Sequence, residues 1–386
     1  MVTGTFPPRN FGGVTNVSYN LAKLLAQRGH DVTIYTTDTG NNEWSRLKTQ
    51  SIEFREGMAI RYFRNISNLL AFKYRLYLSI KILSVIKKER SNFDIIHIHE
   101  HRTFLAVVVA YYARKYKIPY VVQAHGSVLP FFQKQTLKKF FDLFFGYKIL
   151  KNASKIIALT KTEAEQYKKM GVDEDKIEII PNGIDISEYN NLPKRGEFRK
   201  RYQINEKDKI VLYVGRLHEN KGIGLLVETF SEISKKLKYV KLVLVGPDDG
   251  YKQKLVELTK KLKIEDKILF TGFVTNEEKT SAFVDADVFV NPRTDEIFGI
   301  VFLEACACGT PVVCAKGCGL ADLINNKCGY AVEYNKKDLQ MAIYKILMKD
   351  LLRKKFGKEG IRIVKEKFNW IKIVEKLEKV YNLCKI

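Results

Sequence analysis

The stretch from residue 296 to residue 304 decides the fold and reads Glu-Ile-Phe-Gly-Ile-Val-Phe-Leu-Glu, two carboxylates with seven residues between them. An apolar segment at 286–290 precedes it, and this order predicts a strand, a loop and then a helix that begins near Phe298 or Gly299. A glycine at the start of a helix lets a ligand approach the backbone closely. The free N–H groups and the positive dipole end of that helix suit an anion.

The two carboxylates lie on either side of the predicted helix start. Glu304 falls in the first turns of the helix, where it can reach a sugar hydroxyl beside a bound anion. Glu296 lies in the preceding loop and can accept hydrogen bonds from hydroxyls on the other side. An anion flanked by two hydroxyl-rich groups describes a sugar nucleotide, which is the ligand that this stretch predicts.

Length and composition predict a globular protein of two domains. The chain has 386 residues, more than one core usually holds, and 46% of them are hydrophobic. No stretch approaches about 18 uninterrupted apolar residues, so we expect no membrane-spanning helix. The first residues lack the charged and apolar regions of a secretory signal, so we expect a cytoplasmic protein.

Six cysteines raise the question of a disulfide framework or a metal site. Five of them lie within 306–328. The first four have a C-x-C-x5-C-x3-C spacing that matches no common zinc pattern, and no histidine lies nearby. We therefore expect small, buried thiols in a reduced protein, with a metal or redox role as the alternative.

The formal net charge is +23. Nucleic acid, an anionic membrane or an anionic substrate could each account for it, and so could a Lys-rich composition without any binding role. The chain shows no recognition motif for nucleic acid, so we expect no nucleic-acid partner. The positions of the basic residues favour a membrane surface instead.

Short apolar strands alternate with amphipathic helices along both halves of the chain, which predicts βαβ units and parallel sheets. The predicted strands lie at 2–5, 32–36, 95–98, 120–124, 156–159 and 177–180, and then at 210–214, 241–245, 268–270, 288–290 and 312–314. Helices of the second half are predicted near 222–237, 250–263, 276–284 and 299–308. The fold class is therefore α/β, with two tandem doubly wound Rossmann-like domains and a ligand site at the carboxyl ends of the strands.

The stretch 296–304 resembles the E-x7-E signature of retaining glycosyltransferase family 4, whose members have the GT-B fold. Four further motifs extend the resemblance over nearly the whole chain: Gly12-Gly13, His125-Gly126, Pro-Asn-Gly-Ile-Asp at 181–185 and Gly-Arg…Lys-Gly at 215–222. Each motif is weak by itself, but chance does not readily produce five in this order. The resemblance implies GT-B architecture with an interdomain cleft, and a sugar transfer with retention of configuration that needs no cofactor.

The domain boundaries follow from the same resemblance. We expect an N-terminal, acceptor-side domain at 1–183, a C-terminal nucleotide-sugar-binding domain at 184–369, and a last helix at 370–386 that crosses back to the first domain. In the family the first strand begins several residues before the equivalent of Val2. We therefore expect the natural chain to extend about 4–8 residues upstream.

Arg216 and Lys221 follow the predicted strand 210–214 at a turn into a helix. Fixed cations there would stabilise the negative charge that develops on a leaving nucleotide diphosphate. The resemblance assigns both to the diphosphate, Glu296 to the donor sugar and Glu304 to the ribose. The predicted catalytic set is His125, Glu296, Arg216 and Lys221, and the predicted donor-binding set is Gly13, Arg216, Lys221, Phe273, Val274, Glu296, Phe298, Gly299, Ile300, Val301 and Glu304.

Four members of these sets depend most on the resemblance. His125, at the end of the strand 120–124, would contact the donor sugar for positioning or for acid–base chemistry, or would simply end a strand. Gly13 would bring backbone N–H groups to a phosphate, or would only form a turn. The backbone at Phe273 and Val274 would meet the nucleobase.

Two patterns suggest a metal, and we expect neither to bind one. Asp285-Ala-Asp287 has the D-x-D spacing of metal-dependent transferases of another fold, but fixed cations at the diphosphate make a divalent metal unnecessary. His97, His99 and His101 alternate along one strand, and the resembled family has similar histidines there without a metal. The sequence therefore predicts a metal-independent reaction.

Two basic segments bear on the acceptor. Residues 131–155 hold seven aromatic residues and six lysines against one acid, Asp142, and residues 69–90 combine Leu, Ile and Tyr with six basic residues against Glu89. A basic helix with an aromatic face suits a membrane interface, although a core-facing helix with a solvated basic side shows the same pattern. We expect a glycan or lipid-linked acceptor and peripheral docking at the anionic inner face of the cell membrane.

The sequence thus predicts a hexosyltransferase that moves a sugar from a nucleotide diphosphate sugar to a lipid or glycan. The alternatives are a sugar-nucleotide epimerase or phosphorylase-like enzyme of GT-B fold, a non-catalytic membrane-associated scaffold, and a nucleic-acid binder suggested by charge alone. No signature of the alternative enzymes is present. The presence of Glu296, Glu304, Arg216 and Lys221 favours catalysis over a scaffold.

Overall fold

The computed structural model describes residues 1–9, 12–41, 45–47, 51–74, 76–130 and 135–385, which form two units. The first unit comprises Met1–Gly183 together with Trp370–Ile386, and the second comprises Ile184–Asn369. None of the described helices is both long and apolar enough to cross a membrane.

Strands and helices alternate through most of both units. The strands are β1 Val32–Thr37, β2 Ile52–Arg55, β3 Met58–Phe63, β4 Ile96–His99, β5 Tyr120–Gln123, β6 Lys155–Ala158, β7 Ile177–Ile179, β8 Lys209–Val214, β9 Val240–Val245, β10 Ile268–Gly272, β11 Val288–Asn291, β12 Val312–Ala315 and β13 Gly329–Val332. The helices are α1 Gly12–Gln27, α2 Asn68–Tyr74, α3 Lys81–Glu89, α4 Phe104–Lys115, α5 Gln135–Phe141, α6 Tyr147–Lys151, α7 Lys161–Lys169, α8 Glu197–Arg201, α9 Ile223–Lys236, α10 Lys252–Leu262, α11 Asn276–Asp285, α12 Ile300–Ala307, α13 Ala321–Ile324, α14 Lys336–Met348, α15 Asp350–Lys367 and α16 Trp370–Leu383.

The first unit contains two groups of strands, ordered β2-β3-β1 and β4-β5-β6-β7, in which β2 alone runs antiparallel to its neighbour. Val2 joins the two groups. Its N–H donates to the carbonyl of His97 at 2.8 Å, and its carbonyl accepts from the N–H of His99 at 2.9 Å. On the other side the N–H of Thr3 donates to the carbonyl of Tyr35 at 3.0 Å.

The second unit contains one six-stranded parallel sheet in the order β10-β9-β8-β11-β12-β13. This is the doubly wound order, in which the chain leaves β8 and β11 toward opposite faces and a crevice opens at their carboxyl ends. The loops that follow β8 and β11 carry Arg216, Lys221 and Glu296. The topology therefore puts the sequence-predicted donor residues at the switch point of this sheet.

The strand β8 shows why the sheet forms at this position. Ile210 and Leu212 face a core that includes Phe302 of α12, while Val211 and Tyr213 face the other core, with Phe230 of α9. A strand that is buried on both faces reads as a continuous apolar run, and the sequence Ile-Val-Leu-Tyr-Val does so.

The structure confirms the predicted α/β class with Rossmann-like units and corrects details. The strand expected at 2–5 is reduced to isolated bridges from Val2 to Tyr35 and Ile98. Strands β2, β3 and β13 were not predicted. β2 and β13 have only four residues each, and β13 begins with a glycine, so each gives a weak strand signal.

Candidate active site

The helix α12 begins where the sequence predicted, with Gly299 as the residue before its first turn and no side-chain cap. The N–H groups of Ile300 and Val301 therefore remain available to a ligand, while that of Phe302 donates to the carbonyl of Gly299 at 3.0 Å. A Cβ on Gly299 would lie 2.8 Å from the ring of Phe302 and 3.1 Å from Cγ of Glu296. Glycine at this position lets the Glu296 side chain pack against the start of the helix.

Glu296 lies between two cations. Lys221 Nζ donates to Glu296 Oε2 at 3.1 Å, and Arg293 Nη1 donates to the same oxygen at 3.4 Å. Arg293 also holds Asp295 through Nε at 2.8 Å and Nη2 at 3.1 Å. The side chains of Lys221, Glu296 and Arg293 are only 16–18% exposed, so their charges are poorly hydrated and strongly coupled.

Burial lowers the pKa of Lys221 below the ordinary value for a lysine. The neighbouring charges of Arg293 and Arg216 lower this pKa further, while Glu296 raises it. Burial makes the charged form of Lys221 less favourable. The negative charge of a bound diphosphate would favour that charged form again.

Arg216 lies in the same turn as Lys221 but pairs with a different carboxylate. Its Nη1 donates to Asp249 Oδ2 at 2.6 Å, and its side chain is 64% exposed. Surface ion pairs of this kind contribute little free energy, so a phosphate can compete with Asp249 for this guanidinium. The structure therefore brings Lys221 and Glu296 together, and leaves Arg216 paired with Asp249.

Glu304 also has a cationic partner. Lys279 of α11 donates from Nζ to Glu304 Oε1 at 2.9 Å, and the two side chains are 24% and 14% exposed. A ribose that binds Glu304 through its hydroxyls would share this carboxylate with Lys279 or displace it.

A second loop supports the site from the side of β12. The N–H of Gly319 donates to the carbonyl of Glu296 at 2.8 Å. A Cβ on Gly317 would collide with the carbonyl oxygen of Thr294. The loop that carries Glu296 is thus held by a close backbone contact that only a glycine permits.

The remaining predicted donor residues of the second unit surround this loop. Phe273 follows the end of β10 and is 80% exposed, while Val274 packs against the core. The side chains of Phe298, Ile300 and Val301 are half-buried and pack against the same core. Their backbone forms the start of helix α12.

In the first unit, Gly13 lies exposed in the first turn of α1, next to Gly12 with a φ of +76°. His125 follows the end of β5 with a φ of +54°, and Gly126 continues with +81°. Two successive left-handed residues turn the chain sharply, a conformation that persists only where the surroundings hold it.

Helix α7 supplies that support. Glu163 accepts the N–H of Gly126 at 2.6 Å and the N–H of Leu159 at 2.7 Å, and Tyr167 Oη accepts the N–H of Ala124 at 2.8 Å. Burial raises the pKa of Glu163 to about 7, although both backbone donors favour its charged form.

His125 belongs to a row of histidine rings. Its Nε2 lies 2.9 Å from Nδ1 of His99, whose ring stacks on His97 at 4.2 Å between centroids. His97 Nδ1 in turn lies 2.7 Å from Oη of Tyr381 in α16. Burial lowers the pKa of His125 to about 3 and holds the pKa of His97 and His99 well below its ordinary value, so these rings are neutral near pH 7.

The two aspartates of the D-x-D pattern are occupied by the protein itself. Asp285 accepts the N–H of Gly196 at 2.5 Å and the N–H of Arg199 at 3.0 Å. Asp287 accepts the N–H of Ile210 at 2.9 Å and lies 3.4 Å from the guanidinium of Arg353. Among the described residues, no group of three His, Cys, Asp or Glu side chains has an arrangement that could hold a metal ion.

Sequence reasoning missed Arg293 and Lys279. Arg293 has a local signal, because it is a basic residue three positions before Glu296 in the same loop. Lys279 has none, since it is one of many lysines on amphipathic helices and only the fold brings it to Glu304.

Comparisons with known proteins identify the family and the fold. Residues 11–188 match the family described as Glycosyltransferase Family 4, and residues 194–363 match the family described as Glycosyl transferases group 1. An uncharacterised glycosyltransferase of Methanocaldococcus jannaschii is 27% identical over 394 residues, covering 100% of this chain and 97% of that protein. The alpha-monoglucosyldiacylglycerol synthase of Streptococcus pneumoniae is 26% identical over 360 residues, covering 90% of this chain and 78% of that protein.

A solved structure shows the same fold. The complex of Anabaena HepE with UDP and glucose superposes with a TM-score of 0.75 at 19% identity, covering 99% of this chain and 98% of HepE. The two family matches fall on the two units, and the second includes Lys221, Glu296 and Glu304. The chain therefore belongs to glycosyltransferase family 4 and is a glycosyltransferase with the GT-B fold.

Proposed function

We propose that this glycosyltransferase takes its sugar from a nucleotide diphosphate sugar that the second unit binds. The observation that carries the proposal is the 3.1 Å ion pair of Lys221 and Glu296 beside the uncapped start of α12. The diphosphate binds the N–H groups at 299–301 together with Lys221 and Arg216. Glu296 accepts hydroxyls of the sugar, and Glu304 accepts those of the ribose.

The reaction proceeds with retention and without a metal ion. Lys221 and the helix dipole stabilise the diphosphate as it leaves, which is the charge compensation that a divalent cation would otherwise supply. A phosphate oxygen of the leaving group takes the proton of the acceptor hydroxyl on the same face of the sugar. His125 takes part as a neutral hydrogen-bonding group, because burial keeps its pKa at about 3.

A thermal-shift panel tests the donor assignment. In EDTA, one of the UDP-, GDP- and ADP-sugars at about 100 times its dissociation constant should stabilise the protein by about 2.7 kcal/mol. With that donor, NMR of the transfer product should show the anomeric configuration of the donor sugar. The proposal is wrong if no nucleotide sugar stabilises the protein, if turnover requires added manganese, or if the product is inverted.

We further propose that the acceptor is a lipid or lipid-linked glycan and that the first unit docks on an anionic membrane. Helices α5 and α6, joined by a π-helical turn at Asp142–Gly146, present an aromatic face to solvent. On it Phe140 is 57% and Phe144 59% exposed. Exposed neighbours of the same face are Leu137, Leu143, Phe145 and Tyr147.

The charge of the segment formed by helices α5 and α6 also favours binding to an anionic membrane. The acid Asp142 is turned inward, where it accepts from Arg102 Nε at 2.8 Å and from Nη2 at 2.6 Å. The lysines Lys139, Lys148 and Lys151 are exposed. The Streptococcus pneumoniae relative is named for a glucosyl diacylglycerol product, which supports a lipid acceptor. The segment 69–90 contributes less, because Tyr77, Ile82 and Ile86 are buried.

Vesicle sedimentation tests the docking. The protein should bind phosphatidylglycerol-containing vesicles at low salt and bind pure phosphatidylcholine vesicles weakly, since each basic residue near the surface contributes about 1 kcal/mol. Replacing Phe140 and Phe144 together by serine should weaken binding by at least about 10-fold, given the apolar area removed. The matched control is Phe54→Ser in β2, where the ring is 82% exposed outside this face, and binding should not change. Equal binding by all three proteins would exclude the aromatic face.

A further inference from the structure

The network around Glu296 includes an arginine that belongs to none of the motifs. Arg293 follows β11 and divides its guanidinium between two carboxylates: Nε and Nη2 hold Asp295, and Nη1 reaches Glu296 Oε2 at 3.4 Å. Its side chain is largely buried, and it lies close enough to Lys221 for its charge to lower the pKa of that lysine.

Lys221 cannot form an equally strong ion pair with Glu296 and with a diphosphate at the same time. An ammonium is a compact point charge, and its attraction to one anion weakens when a second anion shares it. A diphosphate next to Glu296 also repels this carboxylate, because like charges in a poorly hydrated site interact strongly. Glu296 therefore needs a second cation to stay in place while the donor is bound.

We propose that Arg293 is a positioning residue of the transfer reaction, which holds and neutralises Glu296 while Lys221 turns to the diphosphate. Its planar guanidinium suits this role, because the two bonds to Asp295 fix the plane and aim Nη1 at Glu296. The inference rests on the proposed assignment of Lys221 and Glu296 to the donor.

The alkaline limb of the pH–rate profile distinguishes this role from simple support of the loop. The charged groups that act on Lys221 are Glu296, Arg293 and Arg216. Removing Arg293 removes a neighbouring positive charge, so the pKa of Lys221 should rise and the limb that reports its deprotonation should move to higher pH. A residue that only stabilises the loop would leave this limb in place.

The experiment measures transfer from the nucleotide sugar that stabilises the protein in the panel. Arg293→Met should lower kcat about 10- to 100-fold, the size expected for a lost hydrogen bond between charged groups, and should move the alkaline limb upward. Arg293→Lys keeps the charge, so it should recover part of the rate with the limb unmoved. Arg362→Met is the matched control, because Arg362 is exposed on α15 and pairs with Glu359 and Glu366 there, and its rate and limb should equal those of the wild type.

The outcomes separate the inference from the function on which it rests. If Arg293→Met has the same kcat and the same alkaline limb as Arg362→Met while Glu296→Ala loses activity, Arg293 has no positioning role and the inference is overturned. If Glu296→Ala is also fully active, the donor-site assignment itself is wrong. Thermal unfolding shows which variants are folded. If Arg293→Met does not fold, Arg293→Gln takes its place in the comparison. The inference then requires that Arg293→Gln moves the alkaline limb to higher pH.

Discussion

Replacement of Glu296 by alanine is expected to lower kcat/KM for sugar transfer by about 10²- to 10³-fold, as the loss of one preorganised group at a reacting centre does. The substitution removes the carboxylate that Lys221 and Arg293 share. It also deprives the donor sugar of a hydroxyl acceptor. The measurement is steady-state kinetics with the donor identified by thermal shift, alongside calorimetric titration of that donor.

Two variants sharpen this experiment. Glu296→Gln keeps the shape and one acceptor oxygen but not the charge, so its activity should lie between those of the wild type and the alanine variant. Glu232→Ala removes a carboxylate from a surface ion pair with Lys235 in α9 and should leave the kinetics unchanged. Full activity of Glu296→Ala would show that this carboxylate does not bind the donor sugar.

The second large effect concerns stability in mild acid, and it comes from the buried histidines of the first unit. Burial holds the pKa of His97, His99 and His101 well below its ordinary value and lowers that of His125 to about 3. Below about pH 6.5 the unfolded chain therefore binds protons that the folded chain does not, and the free energy of unfolding falls as the pH falls. Each histidine contributes about 1.4 kcal/mol per pH unit.

One neighbouring group acts in the opposite direction. Burial raises the pKa of Glu163 to about 7, so the folded chain binds its proton between about pH 4.5 and pH 7, and this term stabilises the fold as the pH falls. The four histidines outnumber this single carboxyl, so the net effect of burial is a free energy of unfolding that falls as the pH falls below about 6.5. Because folded domains are stable by only about 5–15 kcal/mol, the protein is expected to lose a large part of its stability between pH 7 and pH 5.

Urea denaturation at intervals between pH 5 and pH 7.5 measures this slope. His101→Met should reduce it by about one proton, because His101 is fully buried between Arg102 and Asp142. The control Phe54→Ser should leave the slope unchanged, since Phe54 is 82% exposed and its side chain carries no titratable group. A free energy of unfolding that stays constant from pH 7 to pH 5 would show that these rings are not held neutral.

The sequence predicted the strands β8 to β12 of the second unit because they are apolar runs. It did not predict β13 or the helices α8, α13, α14 and α15 of the same unit. The start of α12 was predicted to within one residue, since the glycine at 299 and the apolar run after it leave little choice. The first unit was harder. Its strand at 2–5 reads as a strand by composition, yet only Val2 makes bridges on both sides.

The sequence indicated candidate site residues but not the contacts between them. Lys221 and Glu296 are 75 positions apart, and the resemblance assigned them to adjacent parts of one ligand without indicating that they pair directly. The pairing of Lys279 with Glu304 and of Arg216 with Asp249 depends on how separate helices and loops pack, which no local pattern records. The role of Arg293 arises from the same packing.

The way in which the chain threads the two units has a consequence for its synthesis. Helix α16 packs Ile373, Val374 and Leu377 into the same core as Leu21 and Leu25 of α1. The second unit is a continuous segment and can fold as soon as it emerges from the ribosome. The core shared by α1 and α16 cannot close until the segment Trp370–Leu383, which follows the second unit, has also been translated.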